Sequence, residues 1–151
     1  MKVNLKNARY GDVILFRSTS LFGSLIRLID GGEYSHGAIY LEKRHGRHHF
    51  IEALTDGGVT YSILDENAGN WDIYRPSPKI SATKPELIAL VGRRGYDFLR
   101  IVRILSFYVF SRPLPADNQQ KFICTELINW AYGFALSEEL ATPRTIHEAV
   151  K

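Results

Sequence analysis

The chain has one cysteine, Cys124, and it stands in the run Phe122-Ile123-Cys124-Thr125-Glu126-Leu127-Ile128. A lone cysteine makes no internal disulfide and no Cys-rich zinc site, so it is either a buried thiol or a nucleophile. Apolar residues at helical spacing follow it, which predicts that Cys124 lies in the first turn of a helix. There, unpaired backbone N–H groups and the positive end of the helix dipole favour the thiolate, the reactive form. A small cysteine flanked by Ile123 and Leu127 fits a core position equally well.

A thiol that transfers acyl groups needs a base, and the base needs a group to orient it. His36 is the candidate base. It opens an apolar strand and is followed by Gly37, whose missing side chain lets another element come close. The alternative for His36 is a hydrogen-bonded structural role. Glu52 sits in Phe50-Ile51-Glu52-Ala53-Leu54, where a carboxylate facing the core unpaired is costly. It therefore faces water or has a cationic partner, and His36 on the adjoining strand is within reach. A Cys–His–Glu set of this kind lets the glutamate fix the histidine tautomer and stabilise the imidazolium. The backbone N–H of Cys124 is one expected oxyanion donor. The hydroxyls of Tyr10 and Tyr34 are candidates for a second oxyanion donor or a substrate contact, set against an ordinary place at a rim. His45, His48 and His49 cluster at one turn, but turn residues are normally solvated and only Glu42 and Glu52 are near to complete a ligand set. No metal and no other cofactor is expected.

These residues must be carried by a sheet followed by helices. Gly11-Asp12 makes a turn before the strand Val13-Ile14-Leu15-Phe16. Ser18, Thr19 and Ser20 can cap a helix with apolar positions from Leu21 to Ile29, ended by Gly31-Gly32. Residues 36–41 and 49–54 read as two strands joined by a hairpin turn at 44–47. After a turn at Gly57-Gly58, residues 59–63 and 71–75 are further strands. The period then changes, with helices predicted over 84–94, 97–110 and 122–134, and a last short helix opened by Thr142 as cap and Pro143 at its first position. The class is α+β, an antiparallel sheet packed against helices, in one domain over residues 1–151.

Four blocks in this order resemble a known family: Arg9-Tyr10-Gly11-Asp12-Val13-Ile14-Leu15-Phe16, Tyr34-Ser35-His36-Gly37-Ala38-Ile39-Tyr40, Phe50-Ile51-Glu52-Ala53 with Gly58-Val59, and the run from Phe122 to Ile128. They are similar to the circularly permuted papain-like amidases, the YaeF/YiiX-like relatives of NlpC-type cell-wall peptidases. The resemblance implies a permuted papain-like fold with the nucleophile at a helix N-terminus. It implies Cys124 as nucleophile, His36 as base and Glu52 as third polar member. His36 precedes Cys124, the reverse of the unpermuted order, and catalytic geometry does not depend on chain order. Thr125 stands where the family often has serine.

Composition narrows the rest. The chain is 45% hydrophobic and 23% charged over 151 residues, the proportions of a globular protein whose core needs no staples. Nineteen Lys and Arg against sixteen Asp and Glu leave a net charge of +3, too mild and too scattered to nominate nucleic acid. Arg93, Arg94, Arg100 and Arg103 read as a solvated helix face. Their neighbours Phe98, Ile104, Phe107 and Tyr108 make a membrane-surface or lipid contact the alternative. The first residues lack a signal-peptide pattern and no apolar run is long enough to span a bilayer, so a cytoplasmic location is expected, or delivery to the cell wall by another route. The leading expectation is a cysteine hydrolase that cleaves an amide bond in a small peptide or amino-acid amide, of cell-wall type by resemblance, through a thioester. A lipid acyltransferase or thioesterase on the same fold and a non-catalytic binding module are the alternatives. The sequence does not address oligomeric state.

Overall fold

A computed structural model describes residues 1–54, 58–92, 123–137 and 141–151. The helix expected over 97–110 and its basic and aromatic residues lie outside the described residues. Six strands form a sheet in the order β1-β6-β2-β3-β4-β5: β1 is Lys2–Val3, β2 Val13–Phe16, β3 His36–Arg44, β4 Arg47–Leu54, β5 Gly58–Ile63 and β6 Trp71–Tyr74. Every pairing is antiparallel. The helices are α1 Leu21–Asp30, α2 Lys84–Ala89, α3 Cys124–Ala131 and α4 Pro143–Val150. None of the described helices is long and apolar enough to cross a membrane.

Local chemistry accounts for most boundaries. Ser20 caps α1 by accepting from the Gly23 N–H at 3.0 Å, and Gly31 ends the helix in the left-handed region at φ 64°. Thr142 caps α4 by accepting from the Thr145 N–H at 3.2 Å, with Pro143 in the first turn. His45 and Gly46 make the tight β3–β4 turn with φ of 50° and 77°, the doubly left-handed geometry that matches strand twist. Helix α2 stops at Ala89, earlier than the spacing predicts, and Gly92 turns the chain at φ 80°.

Strand alternation sends residues to two packed faces. On one face, Val13, Leu15, Ile39 and Ile51 meet Leu87 of α2, Leu127 and Ile128 of α3, and Ile146 and Val150 of α4. On the other, Ile14, Ala38, Tyr40, Phe50 and Ile73 pack with Phe16 and Trp71 and are covered by Val3, Leu5 and Ala8. Coverage of both faces explains why Val13-Ile14-Leu15 is an unbroken apolar run, since none of the three is exposed.

The packing that positions the site is α3 against β3. A Cβ added at Gly37 would lie 2.6 Å from Ile128 Cδ1 and 3.3 Å from Leu15 Cδ2. Both neighbours are fully buried, so neither can swing into solvent. Gly37→Ala is therefore expected to lift α3 from the sheet and destabilise the protein by about 1–3 kcal/mol. Urea unfolding of the two proteins checks this, and equal stabilities would contradict the close packing.

Candidate active site

Helix α3 begins at Cys124 itself, with Ile123 as the residue before its first turn. Isoleucine has no side-chain acceptor, so the leading N–H groups of the helix receive no cap from that position. Glu126 reaches back instead to accept from the Ile123 N–H at 3.2 Å. The Thr125 hydroxyl donates to the Ala141 carbonyl, which ties the start of α3 to the segment entering α4. The Cys124 sulfur lies beside the His36 side chain and within electrostatic reach of the backbone N–H groups of Gly37 and Thr125.

Strand register brings the other two groups together. Ala38 on β3 lies opposite Glu52 on β4, and His36, two residues before Ala38, shares its face. His36 Nε2 and Glu52 Oε2 are 2.7 Å apart. With Nε2 engaged, Nδ1 is the ring nitrogen left for the Cys124 thiol. The second carboxylate oxygen is also held, since Ser62 Oγ donates to Glu52 Oε1 at 2.6 Å. The Phe16 ring packs beside the imidazole, with centroids 5.6 Å apart. His36, Glu52 and Ser62 therefore form one hydrogen-bonded chain, and Cys124 stands beside its His36 end.

The electrostatics follow from that geometry. Burial alone would push the Cys124 thiol up, but the charge of the His36 imidazolium, its hydrogen bond and the two backbone N–H groups hold it below the ordinary thiol range. Burial alone would push His36 down, and the facing thiolate and Glu52 raise it well above its ordinary value. For Glu52, burial would raise the carboxyl, while the hydrogen bond and charge of His36 and the hydroxyl of Ser62 bring it below the usual carboxylate range. The arrangement favours a thiolate facing an imidazolium that is backed by a carboxylate.

Other residues singled out from the sequence are placed elsewhere. The Tyr34 hydroxyl donates to Asp72 Oδ2 at 2.6 Å, lies 2.8 Å from the Tyr74 hydroxyl and accepts from Arg17 at 3.0 Å. Tyr10 donates to the Ala82 carbonyl at 2.8 Å, and burial pushes its phenol up to about 12. Both hydroxyls are engaged by these partners, and neither tyrosine is among the described residues that line the cleft beside His36. His48 is buried instead of solvated, because it alternates inward on β4 with Nδ1 2.8 Å from the Tyr40 hydroxyl. Ser62 is the participant that sequence reasoning missed. Its signal was the polar alternation Thr60, Ser62 along β5, which has no meaning until register is known.

The site opens on a cleft of about 430 Å³. Phe16, Ile26 and Leu54 give it apolar walls, Ser18, Thr19 and Asn70 polar ones, and His36 lines one side. Cys124 is only 6% exposed and is absent from the cleft lining. Leu21, Leu25 and Leu28 are exposed on α1, the helix whose Gly23 and Ile26, with the capping Ser20, line the cleft.

No protein-family model and no curated protein matches the chain. A crystal structure of the metalloprotein yiiX from Escherichia coli O157:H7, described as DUF1105, does match, with a TM-score of 0.57 and 20% identity over 93% of this chain and 78% of that one. The two share a fold. At the level of fold, yiiX supports the YiiX-like part of the resemblance drawn from the four sequence blocks.

The pair of His36 and Glu52 has a pH signature in stability. A carboxyl depressed on folding stabilises the protein above its unfolded value, about 4.5, and that contribution is lost as pH falls through the folded value. Glu52→Gln is expected to cost about 1–3 kcal/mol near pH 7 and far less near pH 3. Urea unfolding at both pH values checks this; an equal cost at both would mean that the Glu52 charge plays no part.

Proposed function

We propose that this protein is a cysteine hydrolase that cleaves an amide bond through a thioester. The observation that carries the reading is the hydrogen-bonded pair of His36 and Glu52, 2.7 Å apart, set beside Cys124 at the first turn of α3. The Cys124 thiolate attacks the carbonyl carbon and forms the C–S bond. His36 gives its proton to the leaving amine as the C–N bond breaks. Water then attacks the thioester with His36 taking its proton, the acid leaves, and the thiol is restored. Glu52 holds the imidazole by Nε2 and stabilises its charged form through both steps. The Cys124 backbone N–H, at the uncapped helix start, is the group offered to the developing oxyanion. In this reading the fold is permuted papain-like, with His36 ahead of Cys124 in the chain.

The name of yiiX describes that protein as a metalloprotein. The described residues of this chain do not fit a metal site. No three His, Cys, Asp or Glu side chains among them are arranged to hold an ion, and the two Glu52 oxygens are occupied by His36 and Ser62. The mechanism uses no step through a metal.

The cleft bears on the substrate. No Asp, Glu, Lys or Arg is among the described residues that line it, so they offer no ion pair to the charged terminus of a small peptide. An uncharged acyl or peptide segment suits its mixed apolar and hydroxyl walls. The exposed leucines of α1 beside that wall favour a second reading, transfer or hydrolysis of a lipid acyl group at a membrane surface. The low exposure of Cys124 favours a third, a binding module without turnover. Incubation with neutral p-nitrophenyl esters and amides, followed by intact-mass spectrometry, tests these together. A covalent acyl adduct on the wild type is expected, with none on Cys124→Ala and at least a hundredfold slower formation on His36→Ala. Esters of longer chains reacting far faster than amides would favour the lipid reading, and no adduct with any of them would favour the binding module.

A further inference from the structure

Glu52 orients His36 only if its own carboxylate is held. The side chain is long, and rotation of the carboxylate would carry Oε2 away from the imidazole. The residue directly across from it on β5 is Thr60, whose hydroxyl is turned back to the Gly58 carbonyl at 3.4 Å. The group that reaches Glu52 is Ser62, which sits opposite Phe50, diagonal to Glu52 on the same face. Its Oγ donates to Oε1 at 2.6 Å, while Oε2 meets His36 Nε2 at 2.7 Å. These two are the hydrogen bonds of the Glu52 carboxylate among the described residues, and Glu52 is 8% exposed, so little water is present to replace either.

We propose that Ser62 is a positioning residue of this site, pinning one oxygen of Glu52 so that the other holds the His36 ring in place beside Cys124. The inference rests on the reading of Cys124 and His36 as a working pair. Ser62 acts through Glu52 and not on substrate. Without its hydroxyl, the Glu52 anion loses a donor, its support of the imidazolium weakens, and the thiolate becomes harder to form. The effect therefore falls on the titration of a group three side chains away, which a merely structural serine would leave in place.

The rate of Cys124 alkylation by iodoacetamide, followed across pH, reads this directly, because no other thiol exists in the chain. Wild type, Ser62→Ala, Ser62→Thr and His36→Ala are compared, with the folded state of each checked by circular dichroism. In Ser62→Ala the reactive limb is expected to move to higher pH, with about three- to tenfold slower alkylation in mild acid. Ser62→Thr keeps the hydroxyl and is expected to follow the wild type. A Ser62→Ala profile that superimposes on wild type while His36→Ala departs from it overturns the inference and leaves the cysteine–histidine reading standing. Ser62→Thr failing alongside Ser62→Ala would assign the effect to packing and overturn it as well. Should His36→Ala also match wild type, the proposed function falls and the role of Ser62 falls with it.

Discussion

The approach of helix α3 to strand β3 over Gly37 is the constraint on which the site depends. Helix α3 can bring Cys124 this close to the strand only because nothing projects from the Gly37 α-carbon toward Ile128. The same contact sets the sulfur beside His36, the neighbouring residue on the strand. Apolar burial of Leu127 and Ile128 against Leu15, Ile39 and Ile51 supplies the driving force that holds the helix there. The polar chemistry is thus positioned by hydrophobic packing on one face of the sheet, while the carboxylate that supports it comes from strand register on the other.

A buried pair of charges is costly to desolvate, and it survives only when hydrogen bonds satisfy both partners. Here Cys124 has the imidazole and the Gly37 and Thr125 N–H groups beside it, His36 has Glu52 on Nε2, and Glu52 has Ser62 on its second oxygen. Each group compensates the desolvation of the one before it. This is why the shifts of Cys124 and His36 run against the direction that burial alone would impose. It also concentrates the consequences of single substitutions, because removing any member leaves a buried neighbour unpaired.

Much of this arrangement was legible from residues alone. Helix starts at Ser20 and Thr142 follow from side chains that accept backbone hydrogen bonds, and the β3–β4 turn follows from its need for left-handed residues. Cys124 at a helix start, His36 at a strand start and Glu52 in an apolar strand were visible because each is a chemically odd residue in a regular pattern. Strand β1 was not legible, since its two residues, Lys2 and Val3, are too few for a period and are strand only by pairing with β6. Ser62 was hidden because its contact is diagonal across two strands. The partners of Tyr10, Tyr34 and His48 were hidden for a shared reason: proximity in sequence to a turn says nothing about which group a hydroxyl or imidazole finds once the sheet closes.

The central claim is that His36, backed by Glu52, draws the Cys124 thiol below the ordinary thiol range. Ultraviolet absorbance of the thiolate, taken as the difference between wild type and Cys124→Ser across pH, measures it without any substrate. The account predicts that the thiolate signal appears at lower pH than that of an ordinary thiol. A signal that rises only near the ordinary thiol value, about 8.5, would contradict it.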